Sequence, residues 1–254
     1  MTPRGSSARR HSSESIAQRM SILFISDLHL DETRPHIVDL YTKLLTDEAR
    51  DADALYILGD LFESWVGDDD DSALATRVAL ATRALRDSGV PVYFMHGNRD
   101  FLLGEDYAAR AGMTLLQDPH IMQTKSAGAA GERVLLMHGD TLCTDDVDYQ
   151  EFRAWVRDAE WQQEFLANPL GERRAFAAQA RGESRKHTSM ARQEIMDVNS
   201  TAVADAMRTH GVRRMIHGHT HRPATHHFTV DGQSAERIVL GDWYEQHSVL
   251  RLER

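Results

Sequence analysis

Five short clusters in the 254-residue sequence carry the residue types that hold metal ions. They are SDLHL (26–30), LGDLF (58–62), HGNRD (96–100), MHGDT (137–141) and HGHTH (217–221), and each follows an apolar run. Asp27, His29, Asp60, Asn98, His138, His219 and His221 together offer mixed oxygen and nitrogen donors. Such a set suits a borderline transition ion such as Mn²⁺, Fe²⁺ or Zn²⁺, whereas Mg²⁺ and Ca²⁺ prefer oxygen alone. Taken singly, each cluster has a plainer reading. Asp27 could cap a turn, Asp60 could cap the next helix, Asn98 beside Gly97 could be a turn residue, and a lone histidine is more often structural. Five such clusters in order, each closing an apolar run, are not accounted for by local roles.

The elements that must position these residues follow from periodicity. SILFISD (21–27), ALYILGD (54–60), VPVYFMHG (90–97), RVLLMHGD (133–140) and VRRMIHG (212–218) read as strands. PHIVDLYTKLLTDEA (35–49) reads as a helix with Pro35 in its first turn, and 72–89 as a helix capped by Ser72 and stopped by Gly89. A short helix is expected around 105–111, and another over 194–210, closed by Gly211. AGAAGE before the fourth strand looks like a hairpin loop. The tail, HHFTV–DGQS–AERIVLGDW and then SVLRLE, reads as antiparallel strands with a DG turn between the first two. Strand–helix alternation giving way to strands predicts an α/β protein with two stacked mixed sheets flanked by helices. All five clusters then lie at the carboxyl ends of strands, where open α/β sheets build their sites.

One stretch breaks the alternation. Residues 149–192 are helical, aromatic and then basic, and are expected to form an inserted helical cap between core segments 20–148 and 193–254. Phe152, Trp155, Val156 and Ala159 share helical spacing, with Tyr149, Trp161, Phe165, Leu166 and Leu170 nearby. Packing of the cap onto the core explains most of them. Arg173, Arg174, Arg181, Arg185, Lys186 and Arg192 outnumber Glu172 and Glu183 in 172–192. That excess suits either a solvated helix face or an anionic membrane surface. GDDDD (67–71) is expected to be a solvated loop, His217 could orient a ligand histidine from behind, and His226 and His227 read as surface residues.

The net charge of −10 disfavours nucleic acid, and no motif calls for a protein partner. Cys143 is the only cysteine, which fits a reducing compartment. No apolar run approaches the roughly 20 residues that cross a bilayer. Residues 1–19 are polar and Ser/Arg-rich, fail as a signal peptide, and are expected to be a disordered extension with the fold beginning at Met20.

The ordered pattern D-x-H…GD…GN…HGD…GHTH resembles the calcineurin-like metallophosphoesterase superfamily. The longer blocks ALYILGDLFESWVGDDD, YFMHGNRDFLLG, LLMHGDTLCTDD, EIMDVN and IHGHTHRPA are similar to the bacterial UDP-2,3-diacylglucosamine pyrophosphatases of lipid A synthesis, from Met20 to about residue 250. The resemblance implies an αββα sandwich and two Mn²⁺ ions. Asp27, His29 and His221 would hold one ion, Asn98, His138 and His219 the other, and Asp60 would bridge. Two cations about 3.5–4 Å apart acidify a water for in-line attack on phosphorus and clamp the charge that builds. Asp60, Asn98, Arg99 and His138 are then the candidate catalytic residues.

Arg99 follows Asn98 where a proton donor would serve an alcohol leaving group, and a guanidinium cannot give up its proton. A phosphate leaving group needs charge neutralisation instead, so the Asn–Arg pair favours pyrophosphate cleavage. The alternative is that Arg99 merely pairs with an acid such as Asp100. The family's substrate, UDP-2,3-diacylglucosamine, implies attack on the α-phosphorus, a cap chamber for acyl chains, and a peripheral site on the cytoplasmic face of the inner membrane. Its substrate contacts map onto Asn98, Arg99, Asp146, Ser184, Thr188 and His219. Thr188 stands where some members have asparagine, and Ala191 where some have lysine. Arg192 next to it is turned about 100° away on a helix. Two other readings compete: a metallophosphoesterase for soluble nucleotide sugars or phosphodiesters, and a non-catalytic scaffold.

Overall fold

The computed structural model of the chain describes residues 21–124, 131–190, 197–244 and 247–253, with the side chains of 184–190 left out. The expectations for 1–19, Met20, Ala191 and Arg192, and for the side chains of Ser184 and Thr188, lie outside the described residues. The first half of the chain forms β1 (Ser21–Ile25), α1 (Pro35–Thr46), β2 (Ala54–Leu58), α2 (Ala73–Asp87), β3 (Val92–Met95), α3 (Glu105–Ala111), β4 (Met113–Leu116) and β5 (His120–Gln123). The second half forms β6 (Arg133–Met137), α4 (Val147–Val156), α5 (Ala159–Ala167), α6 (Leu170–Met190), α7 (Ser200–His210), β7 (Arg214–His217), β8 (Ala224–Val230), β9 (Gln233–Val239) and β10 (Leu250–Glu253).

Two five-stranded sheets result, ordered β10-β1-β2-β3-β4 and β5-β6-β7-β9-β8. β1 to β4 run parallel, as do β6, β7 and β9, while β10, β5 and β8 pair antiparallel at edges. Every residue of β1 is buried because both faces of its sheet are covered. Ile22 and Phe24 alternate toward the second sheet, where they meet Val134, Leu136 and Ile216. Leu23 and Ile25 point the other way, into a core shared with Ile37, Tyr41 and Val78 of α1 and α2. On the far side of the second sheet, Leu135, Met137 and Met215 pack on Val203 and Met207 of α7. The layers are therefore α, β, β, α, as the strand–helix pattern predicts.

Local chemistry sets the element ends. The Ser72 hydroxyl accepts from Ala75 N at 3.1 Å, and Pro35 opens α1. Asp231 and Gly232 both take positive φ at the β8–β9 turn, as an Asp-Gly hairpin requires. Thr124 N donates to Glu132 O at 2.9 Å and closes the β5–β6 pairing beneath the Gly/Ala-rich loop, whose residues 125–130 lie outside the described ones.

Four expectations change. β4 and β5 are strands the alternation did not reveal, being four residues each and only partly buried. α7 starts at Ser200, not 194, because the Asn199 side chain caps it from Thr201 N and Ala202 N. The tail is not a simple antiparallel meander: β9 runs parallel to β7, and β10 crosses to the other sheet beside β1. The aromatic stripe is broken too. α4 ends at Val156, and Asp158 caps a new helix by accepting from Trp161 N at 2.9 Å, so Ala159 does not continue the face of Phe152.

α4, α5 and α6 lie between β6 and β7. Their attachment uses the acidic loop that was expected to be merely solvated. Asp68 accepts from Trp65 Nε1, Gly104 N and Tyr107 N at 3.1, 2.9 and 2.8 Å, capping α3 from a distance. Arg173 of α6, only 3% exposed, donates to Asp69 Oδ1 at 2.8 Å and to the Val66 carbonyl. Arg174 pairs with Asp70 at 3.0 Å, and Arg181 with Glu63. Three of the six cations expected to face solvent or a membrane are thus engaged within the molecule.

Candidate metal centre

The strand ends bring the predicted residues together in two adjoining groups. In the first, His29 Nε2 and His221 Nε2 lie 3.2 Å apart, and Asp27 Oδ1 lies 3.3 Å from His221 Nε2. In the second, Asn98 Oδ1 lies 3.0 Å from both His138 Nε2 and His219 Nδ1. Asp60 Oδ2 stands between them, 3.8 Å from His29 Nε2 and 3.9 Å from His138 Nε2. Its other oxygen accepts from Arg99 N at 2.8 Å. Asp27, His29 and His221, and likewise Asp27, Asp60 and His138, hold ligand atoms within 4.8 Å of one another.

The backbone is bent to achieve this. Six non-glycine residues with positive φ are described, and five of them are Asp27, His29, Asp60, His219 and His221, at 49° to 69°. Such conformations cost of order 1–3 kcal/mol each and persist only where surrounding structure enforces them. Close approach is the reason. A Cβ on Gly97 would meet Asp60 Oδ1 at 2.1 Å, and one on Gly218 would meet Asp27 Oδ2 at 2.3 Å.

Protonation and orientation suit a cation. Burial, the largest influence, holds the His29 and His219 imidazoles down at about 4, so both are neutral and carry a lone pair at pH 7. His138 goes the other way: burial opposes its charge, but Asp60, Asp140 and Asp27 outweigh it and lift it to about 9. His221 is raised as well, burial being overcome by Asp27 and Asp242. The same field, led by His221 against the cost of burial, keeps Asp27 ionised far below the usual carboxylate range. Three imidazoles face outer partners through Nδ1: His138 is hydrogen-bonded to Leu58 O at 2.9 Å, His29 lies 2.9 Å from Glu63, and His221 lies 3.4 Å from Asp242. Each thus turns Nε2 inward, the usual outer support of a metal ligand. The residues fit a divalent cation.

Several of these supporting groups escaped the sequence reading. Asp242 had a usable signal, since IVLGDW ends β9 as ILGDLF ends β2. Asp140 sits in the HGD cluster already singled out; it is fully buried, accepts from Arg153 Nε at 2.7 Å and Tyr149 OH at 2.8 Å, and is held well below the usual carboxylate range because His138, His219 and Arg153 offset its burial. Glu63 and Tyr244, whose ring lies parallel to that of His29 at 5.6 Å, have no local signal. His217 touches no ligand side chain directly; its Nδ1 donates to the Gly218 carbonyl at 2.8 Å. Asp100, the acid that Arg99 could have paired with, is fully buried, and its oxygens accept from Gly97 N and Leu61 N at 2.8 and 2.7 Å. His226 and His227 are exposed on β8. Asp146 caps α4 from Tyr149 N at 3.1 Å.

A cleft of about 350 Å³ opens beside Asn98 and Arg99 and runs under the cap. Its far wall is aromatic: Trp161 stacks on Phe165 at 4.8 Å, and Phe165 meets Phe176 at 5.3 Å. Arg157 reaches from the end of α4 to the Gly97 carbonyl at 2.8 Å and lies over Phe101. Phe152 and Trp155 stay 40% and 50% exposed.

The calcineurin-like phosphoesterase family model matches residues 20–223. A UDP-2,3-diacylglucosamine hydrolase of Stenotrophomonas maltophilia is 54% identical over 241 residues, which cover 92% of this chain and 95% of the relative. The chain belongs to the calcineurin-like phosphoesterases. Proteins of the same description from Aeromonas hydrophila and Escherichia fergusonii are 53% and 51% identical, over 91% and 92% of this chain and 94% and 95% of theirs.

Proposed function

We propose that the chain hydrolyses the pyrophosphate bond of UDP-2,3-diacylglucosamine. Water attacks the α-phosphorus, the bond to the bridging oxygen breaks, and UMP and 2,3-diacylglucosamine 1-phosphate leave, a step of lipid A synthesis. The observation that carries this reading is the continuity of the donor cluster with an aromatic cleft at Asn98 and Arg99. A polar phosphate site that opens straight into an apolar chamber suits a substrate with a charged head and acyl chains.

Asp27, His29 and His221 would hold one Mn²⁺, Asn98, His138 and His219 the other, with Asp60 shared. Bound there, two such ions supply a water of lowered pKa and neutralise phosphoryl charge. Arg99 places a permanent cation beside the leaving phosphate, which departs as a stable anion and needs no proton. Asn98, Arg99, Asp146, Ser184, Thr188 and His219 are the proposed substrate contacts. The exposed Phe152, Trp155 and Leu166 on the cap favour peripheral attachment to the cytoplasmic face of the inner membrane.

Hydrolysis in ¹⁸O water with product analysis tests the reading. Label in UMP is expected, and label in the sugar phosphate reverses the polarity. Faster turnover of a soluble UDP-sugar than of the diacylated substrate overturns the lipid assignment.

A further inference from the structure

The first histidine of HGHTH is not among the metal donors, yet it is fully buried at the end of β7, behind them. Its two ring nitrogens have unlike partners. Nδ1 is 2.8 Å from the Gly218 carbonyl oxygen, and Nε2 is 3.0 Å from Arg237 Nη1 on the neighbouring strand β9. A guanidinium has only donors and a carbonyl only accepts. His217 Nε2 must therefore accept from Arg237, which leaves the single proton on Nδ1 and directs it at Gly218 O. Arg237 selects the tautomer.

The Gly218 peptide so gripped is a junction. Its N–H donates to His138 O at 2.9 Å, and its carbonyl also accepts from Thr220 N at 2.9 Å. One residue on, His219 N donates to Asp27 Oδ2 at 2.9 Å. The peptide thus joins the loop of His138 to the turn that presents His219 and His221, both at positive φ. A Cβ on Gly139 would come within 2.7 Å of His217 Nδ1, so a glycine there leaves the space that the ring fills.

We infer that Arg237, acting through the Nδ1–H tautomer of His217, is a positioning residue that sets the Gly218 peptide and with it His219 and His221 as metal ligands. Without the Arg237 donor, the Nε2–H tautomer becomes available, and Nδ1 then faces the Gly218 oxygen acceptor to acceptor. That contact is repulsive, and the strained turn at 219–221 relaxes. The inference rests on the ligand reading given above.

The test uses the full chain, stripped of metal, with Arg237→Met and Arg237→Lys. Nitrogen NMR of the metal-free parent should show His217 as the Nδ1–H tautomer, and Arg237→Met should show a mixture. Titration with Mn²⁺ should find binding weakened by about ten- to a hundredfold in Arg237→Met, the range for lost outer support, and near-parental binding in Arg237→Lys, which restores a donor. A parent in the Nε2–H form overturns the inference whether or not the variants fold. So does parental Mn²⁺ affinity in Arg237→Met, or equal weakening in both variants. A parent that binds no Mn²⁺ at all fails the ligand reading instead.

Discussion

Arg153 of α4 donates through Nε to Oδ2 of the fully buried Asp140 at 2.7 Å, two residues beyond His138. The cap is thereby tied to the strand end that carries His138. Gln150 adds a second tie from the same helix, reaching Asp140 O at 2.8 Å. α4 therefore reads as a fixed wall of the cleft rather than a loose flap.

Arg153→Met removes the guanidinium from a buried carboxylate and leaves it the Tyr149 hydroxyl and the nearby His138 and His219 imidazoles. Urea unfolding at pH 7 should show a loss of about 3 kcal/mol, as for a broken buried ion pair. The pH dependence has a defined sign. Asp140 is depressed in the folded chain, so its contribution is complete above the unfolded carboxylate value of about 4 and disappears as pH falls through its folded value. The acid loss of stability should begin at higher pH in the variant than in the parent.

Metal uptake should release protons. At pH 7.5 the metal-free chain holds His138 charged, raised to about 9, and His221 raised as well, while His29 and His219 at about 4 are already neutral. Calorimetric titration with Mn²⁺ in buffers of different ionisation enthalpy should report release of about one to two protons per chain. The affinity should rise as pH climbs toward 9. Uptake without release would place the ions elsewhere.

Gly218→Ala forces a Cβ to within 2.3 Å of Asp27 Oδ2 and Ser26 Oγ. The expected outcome is a folded protein destabilised by about 1–3 kcal/mol, as in other overpacked sites, with Mn²⁺ content well below that of the parent. Thermal unfolding and metal analysis of the same preparation check both halves.

Arg99→Met addresses the leaving group. The proposed role predicts a fall in kcat on UDP-2,3-diacylglucosamine of about 10²–10³-fold, the scale of losing one preorganised charge partner, with Mn²⁺ content unchanged. Arg99 N donates to Asp60 Oδ1 at 2.8 Å, a contact that methionine keeps. Steady-state kinetics beside metal analysis separates this outcome from a collapse of the site.

What could be read from the residues alone divides along sequence distance. The donors were legible because each closes a local apolar run, so seven side chains were found without knowing how the sheets meet. The supports were not. Glu63 holds His29 nearby, but its tie to Arg181 spans 118 residues, and nothing around either one signals the other. Arg173 looked like a surface cation because its neighbours are polar; its partner Asp69 lies 104 residues away. Asp242 carried a local signal, IVLGDW at the end of β9, but which end of the sheet it reaches depends on the pairing of β9 with β7, which that pattern does not encode. β4 and β5 were missed because four residues at a sheet margin are too few for a period to emerge.

The donors are divided between the two sheets, with Asp27, His29, Asp60 and Asn98 supplied by one and His138, His219 and His221 by the other. Neither half brings the whole donor set together alone, and His29 and His221, whose Nε2 atoms lie 3.2 Å apart, are separated by 192 residues. During synthesis, a ribosome-bound fragment that lacks the last strands cannot capture an ion in the working geometry. Retention of a divalent cation would therefore report complete assembly, and a chain clipped before β7 should be inert toward both metal and phosphate esters.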